Sequence, residues 1–164
     1  MEIGVNSTLY TTRSSGDPVS TFLFQGSSAL ALDGKGRVTM PVRHREVLQA
    51  MAAGQLTLTK HPARCLLVFP RPAWESFREK LVSMPMAAEG WRRIFLGSAM
   101  DVEIDAGARV LIAPELRNWA GLEREVMLLG MGQRLELWDA ARLAAHEDTV
   151  IGQGMPDALR DHVF

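Results

Sequence analysis

The feature that most constrains this chain is a motif written twice. "LDGKGRVTMP", Leu32 to Pro41, returns as "IDAGARVLIAP", Ile104 to Pro114. Each copy sets an Asp, three small or flexible residues, an Arg, an apolar stretch and a Pro. Asp33 and Arg37 bracket Gly34-Lys35-Gly36; Asp105 and Arg109 bracket Ala106-Gly107-Ala108. A three-residue hairpin loop needs one residue at positive φ, which glycine adopts without a Cβ clash. Leu30, Leu32, Val38 and Met40 alternate with small or polar residues around the first loop. Val102 and Ile104 alternate with Asp101, Glu103 and Asp105 before the second. This period of two predicts a half-buried strand pair in each copy, with Asp and Arg on facing strand ends.

The segments after the hairpins repeat as well. Pro41 and Pro114 are placed to open helices. His44, Val47, Leu48 and Met51 share one helical face before Gly54; Leu116, Trp119 and Ala120 do so before Gly121. Two strands come next in each copy, "QLTLTK" and "CLLVFP", then "EVMLLG" and "RLELWD". A second helix closes each unit, one carrying Trp74, Phe77, Leu81 and Met84, the other capped by Asp139 with Leu143 inward. Between the copies, Trp91, Ile94, Phe95 and Ser98 predict a connecting helix, with Trp74 and Trp91 in the core. "GQGMPDALRDHVF" reads as a loose end with one helical turn at most. The second copy carries one extra residue before its Pro. A single unit has little core of its own, so the two copies should share one. The expected fold is α+β, with interleaved hairpins forming a small barrel-like sheet and helices outside.

Composition narrows the classes. Of the 164 residues, 47% are hydrophobic, enough to bury a core. The net charge of −1 means that a nucleic-acid partner must meet a local basic patch. The single Cys, Cys65, forms no internal disulfide, which fits a reducing compartment. No apolar run approaches the roughly 20 residues of a membrane span. The Ser- and Thr-rich residues 1–22 lack the basic and apolar regions of a secretory signal and read as a flexible extension. A cytoplasmic location is expected.

Two readings of the repeated pair stand side by side. Asp33 and Arg37 can pair across the turn while the carboxylate accepts backbone N–H groups, which is architecture. Alternatively, Lys35, Arg37, Arg43 and Arg45 form a basic cluster, opposed by Asp33 and Glu46. A two-stranded ribbon fits a DNA major groove, and an Arg can give guanine two hydrogen bonds. Other chemistries are weaker. "GKGRVT" and "GMGQRL" lack the third Gly of a dinucleotide fingerprint. His44, His61, His146 and His162 show no metal-ligand spacing, and His44 reads as a helix-surface or interface residue. No catalytic constellation, metal, cofactor or small-molecule substrate is expected.

The stretches "FQGSSALALDGKGRVTMPVRHREVL", "FLGSAMDVEIDAGARVLIAPELRNWAGLEREVMLLG" and "LELWD" resemble the MraZ family, relatives of the SpoVT/AbrB swapped-hairpin DNA-binding domains. The paired D-x-x-x-R motifs carry the likeness. It implies two such domains, at 27–73 and 100–143, joined by connecting helices at 74–99 and followed by a tail at 144–164. It also implies a ring-shaped homo-oligomer and regulation, leaning to repression, of a bacterial division and cell-wall gene cluster. The partner would be double-stranded promoter DNA carrying repeated boxes, met at the nucleoid. By matching position, Arg37 would be the main DNA contact, with Lys35 and Arg43 beside it and Arg109 in the second motif. Asp33, Gly34, Gly36, Asp105 and Gly107 would shape the loops. Swapped-hairpin domains also occur in antitoxins, so an antitoxin, or a structural ring without a DNA role, is the alternative.

Overall fold

The computed structural model describes residues 24–163; the expected extension at 1–22 lies outside them. Eight strands and six α-helices follow one another. The first copy contributes β1 (Ser27–Ala31), β2 (Arg37–Thr39), α1 (Val42–Ala52), β3 (Gln55–Lys60), β4 (Leu66–Pro70) and α2 (Arg71–Ser83). A single 3-10 turn, Met86–Ala88, leads into α3 (Glu89–Phe95). The second copy contributes β5 (Met100–Glu103), β6 (Arg109–Leu111), α4 (Pro114–Ala120), β7 (Glu125–Gly130), β8 (Leu135–Asp139) and α5 (Ala140–Gln153). A last helix, α6, covers Asp157–Val163.

The strands pair across the copies. One six-stranded antiparallel sheet runs β1-β7-β8-β4-β3-β5, and β2 pairs with β6 as a separate two-stranded ribbon. Exchanging the copies (β1 for β5, β3 for β7, β4 for β8) turns the sheet order into itself read backwards. Each copy thus lends its first strand to the β-pair of the other, and neither completes a sheet alone. The sheet does not close into a barrel, because β1 and β5 remain its edges. β2 and β6 pair with each other and not with those edges.

The hairpin arms part for the same reason. Each turn closes locally, with Asp33 N–H donating to the Arg37 carbonyl (2.9 Å) and Asp105 N–H to the Arg109 carbonyl (2.9 Å). Beyond the turn, β1 goes to β7 and β2 to β6. The expected strand pair within one copy is therefore a turn whose arms serve two different sheets. Alternation made both arms strands, but it did not name their partners.

The main core lies between the inner face of the six-stranded sheet, the ribbon, α1 and α4. Leu48, Leu56, Leu58, Leu66, Leu116 and Leu135 are completely buried there, joined by Val38, Met40, Val110 and Ile112. Each fully buried side chain of this kind contributes about 1.5–3 kcal/mol of transfer free energy. Strand alternation puts Leu67, Phe69 and Trp138 on the opposite face. There Trp74 packs on Leu67 and Phe69, and Leu143 packs on Trp138 and Cys65.

Several local expectations change. Pro114 is the first residue of α4, whereas Pro41 caps α1 from one position outside it. Pro41 (φ −56, ψ 142) and Ala113 (φ −59, ψ 145) occupy the same backbone position, so the extra residue is a Pro shifted by one along equal-length arms. His44 is buried, not at the surface. Trp91 is half exposed, not core. The C-terminal segment is helical through α5 and α6. The expected divisions at 73/74 and 143/144 fall inside α2 and α5.

Candidate nucleic-acid interface

Both D-x-x-x-R motifs fold into the same small device. Asp33 Oδ1 accepts the backbone N–H groups of Lys35 (2.9 Å) and Arg37 (2.9 Å), and Oδ2 accepts Arg37 Nε (2.9 Å). Asp105 does likewise with Gly107 N–H (2.8 Å), Arg109 N–H (2.9 Å) and Arg109 Nε (3.2 Å). A short carboxylate that bonds its own backbone two residues on is turn chemistry. The N–H of Arg37 is the largest influence holding the Asp33 carboxyl below the usual range, and that of Arg109 does the same for Asp105. Each Arg commits its Nε to the loop, and the fork of terminal nitrogens lies beyond it.

The β2–β6 ribbon then brings the two arginines together. Its register sets Arg37 opposite Leu111, Val38 opposite Val110, and Thr39 opposite Arg109. Val38 and Val110 point into the core. Strand alternation sends Arg37, Thr39, Arg109 and Leu111 to the other face. Thr39 and Leu111 are exposed there, and both arginines are partly so. Arg37 and Arg109 are diagonal neighbours, about 7–8 Å apart along a ribbon of this kind. Residues far apart in the chain thus share one solvent-facing surface.

The surroundings of the two loops differ. Leu32 N–H, entering the first loop, donates to the carbonyl of Arg124 (2.8 Å); Ile104 N–H, entering the second, donates to that of Gly54 (2.9 Å). Arg124 also lines an open groove with Leu32, Asp33 and Gly34. Lys35 stands at the first tip where the second has Gly107. Arg117 of α4 lays its guanidinium on Gly36, so close that a Cβ there would lie 2.7 Å from Cζ. Gly36 has φ +80, and its counterpart Ala108 holds φ 61 despite its Cβ. The counterpart of Arg117 is Arg45, whose Nε donates to the Met40 carbonyl (2.6 Å). The second loop is preceded by exposed Asp101 and Glu103. Asp101 is held by Thr57 Oγ1 (2.7 Å) and Arg71 (3.5 Å). The first tip is therefore richer in cations.

Lys35 and Arg37 share one loop. Arg43 does not join them: its Nη2 donates to Ser28 Oγ (2.7 Å) at the far end of β1, beside Gly26. Arg124 and Arg117 come to the first loop from the second copy. No local motif marks them; only the exchanged strand register reveals them.

Three titratable groups outside the loops are shifted by burial. Burial, then Arg43, pushes the His44 pKa down, and the ring sits edge-on to Phe24 at 5.6 Å. Burial likewise lowers His61, against the pull of Glu136. Burial raises the Cys65 thiol far above its usual range. Among the described residues no group of three or more His, Cys, Asp or Glu is placed to hold a metal, and no helix is long and apolar enough to cross a membrane.

Comparison with known proteins agrees with the duplication. A family model described as "MraZ protein, putative antitoxin-like" matches twice, at residues 23–94 and 95–153. A relative from Methylibium petroleiphilum named Transcriptional regulator MraZ is 63% identical over 146 residues, 89% of this chain and 100% of the relative. One of the same name from Leptothrix cholodnii is 64% identical over 146 residues, with the same coverage. A third, from Cupriavidus pinatubonensis, is 61% identical over 142 residues, 87% of this chain and 100% of its own length.

Proposed function

The chain belongs to the MraZ family of transcriptional regulators, and from that premise we propose that it binds double-stranded promoter DNA through the outer face of the β2–β6 ribbon. The observation that carries this reading is the diagonal placement of Arg37 and Arg109 on that face, with Lys35 and Arg124 at one end. The Asp–Arg bond holds each guanidinium stem, so less side-chain freedom is lost on contact. Arg37 reads base edges from the first tip, Lys35 and Arg124 meet phosphates, and Arg109 contributes from the more acidic second loop. Arg43 is a phosphate contact at the β1 end rather than a neighbour of Arg37.

A chain of net charge −1 grips DNA weakly by itself, since non-specific affinity rises with the number of phosphates neutralised. A ring of copies on repeated boxes multiplies that grip by about 10²- to 10⁴-fold when spacings match. The regulator acts in the cytoplasm at the nucleoid as a repressor of a division and cell-wall gene cluster. The test compares the upstream repeat array with a single box at about 0.15 M salt. The array should bind far tighter; equal affinity for both would refute the avidity argument. The exposed C-terminal helices favour the second reading, an antitoxin whose tail grips a toxin. A toxin gene adjoining this one, with co-purification of its product, would decide for that alternative.

A further inference from the structure

Helix α5 outruns the body that supports it. Leu143 is buried, and the His146 ring lies tilted against Trp138 with ring centroids 4.9 Å apart. The same helical stripe continues to Val150 and Ile151, which are 49% and 76% exposed. Met155, in the link to α6, and Leu159, on α6, are exposed as well. A helix shorter than about 12–15 residues is marginal in water without tertiary support. The outer half of α5 therefore stands without tertiary support.

A second uncovered surface lies on the linker between the copies. Val82, Met84, Met86 and Trp91 are exposed around the turn joining α2 to α3. Arg92 clamps this turn, its Nη1 donating to the carbonyls of Met84 (2.7 Å) and Pro85 (3.3 Å). Methionine and tryptophan are enriched at protein interfaces. The two surfaces have opposite charge. Across α2 and α3, Arg71, Arg78, Lys80, Arg92 and Arg93 outnumber Glu75, Glu79 and Glu89; across α5 and α6, Glu147, Asp148, Asp157 and Asp161 outnumber Arg142 and Arg160.

We propose that the α5–α6 arm of one copy seats on the α2–α3 linker of the next, a head-to-tail contact between copies of this chain. Such a contact uses different surfaces on the two partners and repeats until it closes into a ring or runs on as a filament. The proposal deepens the ring in the reading above by naming its joints. It leaves the DNA face free, because neither surface includes β2 or β6.

The test uses two full-length variants, Ile151→Glu on the arm and Trp91→Glu on the linker. Light-scattering mass and thermal melts are measured for each alone and mixed. Each variant should keep a folded melt and lose the large assembly. Mixed in equal amounts, they should form a dimer and nothing larger, because one intact arm meets one intact linker. Single variants that keep the wild-type mass, or folded variants that form no dimer when mixed, overturn the proposal. Arg37→Ala serves as the separate control: it should assemble normally and bind DNA roughly 5- to 150-fold more weakly per engaged site. A monomeric wild-type chain would remove both the ring and this contact. A wild-type ring untouched by the two variants would remove only the contact.

Discussion

The two hairpins share a backbone and differ in what surrounds it. Both Asp residues accept the same three bonds, and both Arg residues lie on one face of the ribbon. Yet the first loop carries Gly36 where the second carries Ala108, Lys35 where it carries Gly107, and neighbouring Arg124 in place of Gly54. Side-chain exposure runs the other way. Arg37 is 23% exposed and held at 2.9 Å; Arg109 is 41% exposed and held at 3.2 Å. The repeated Asp is thus a loop builder, and specialisation is written in the residues around it. Under the proposed reading, local charge, more than exposure, would give the first loop the leading DNA role.

The sharpest way to break this comparison is to remove each Arg in turn. Arg37→Ala should weaken DNA binding by about 1–3 kcal/mol per engaged site, roughly 5- to 150-fold, with the assembly intact. Arg109→Ala should weaken it less and affect stability or assembly more. Binding titrations and mass measurements on both variants check this, and equal losses on DNA would erase the asymmetry.

The next effect concerns the loop backbone. Gly36→Ala adds about 1–2 kcal/mol of left-handed strain against about 0.4–1 kcal/mol gained from a stiffer unfolded chain, and the displacement of Arg117 adds to the cost. The reciprocal Ala108→Gly relieves similar strain but frees the unfolded chain by about 0.4–1 kcal/mol, leaving a net gain of about 0–1.6 kcal/mol. Chemical denaturation of the pair measures both. Equal and opposite shifts would mean that the surroundings of the two loops do not matter.

The smallest effect is a pH slope. Buried His44 stands in α1 where α4 has Leu116. Its folded pKa lies below the unfolded value near 6.5. Its stability contribution is therefore present above that value and is lost as pH falls through the folded one, because the unfolded chain takes the proton more readily. His44→Leu, which copies the second repeat, should flatten the fall in melting temperature between about pH 7 and pH 5. The slope that remains belongs to His61, shifted in the same direction. An unchanged slope would show that His44 is not a source.

Much of the fold is legible in the chain itself. The duplication, the turn positions, the Asp139 cap and the inward faces of α1 and α4 follow from local chemistry: glycine conformations, side-chain to backbone bonds and the periods of helix and strand. The helical face that carries His44 is legible, but its contact with Phe24 is not, because the two meet only in the folded chain. Trp91 reads as core because its helical face is apolar; Phe95 and Ser98 on that face are packed, but Trp91 at its outer end stays half exposed.

What the amino-acid sequence determined alone was the set of parts: two turns, their strands and helices, and a charged loop in each. What only the tertiary structure decided was who pairs with whom. Period-two alternation marks a strand's buried face but carries no address for its partner, since any antiparallel neighbour satisfies the same backbone groups. Exchange between the copies supplied that address. It put Arg37 beside Arg109, brought Arg124 and Arg117 to the first loop, and left Arg43 at the far end of β1.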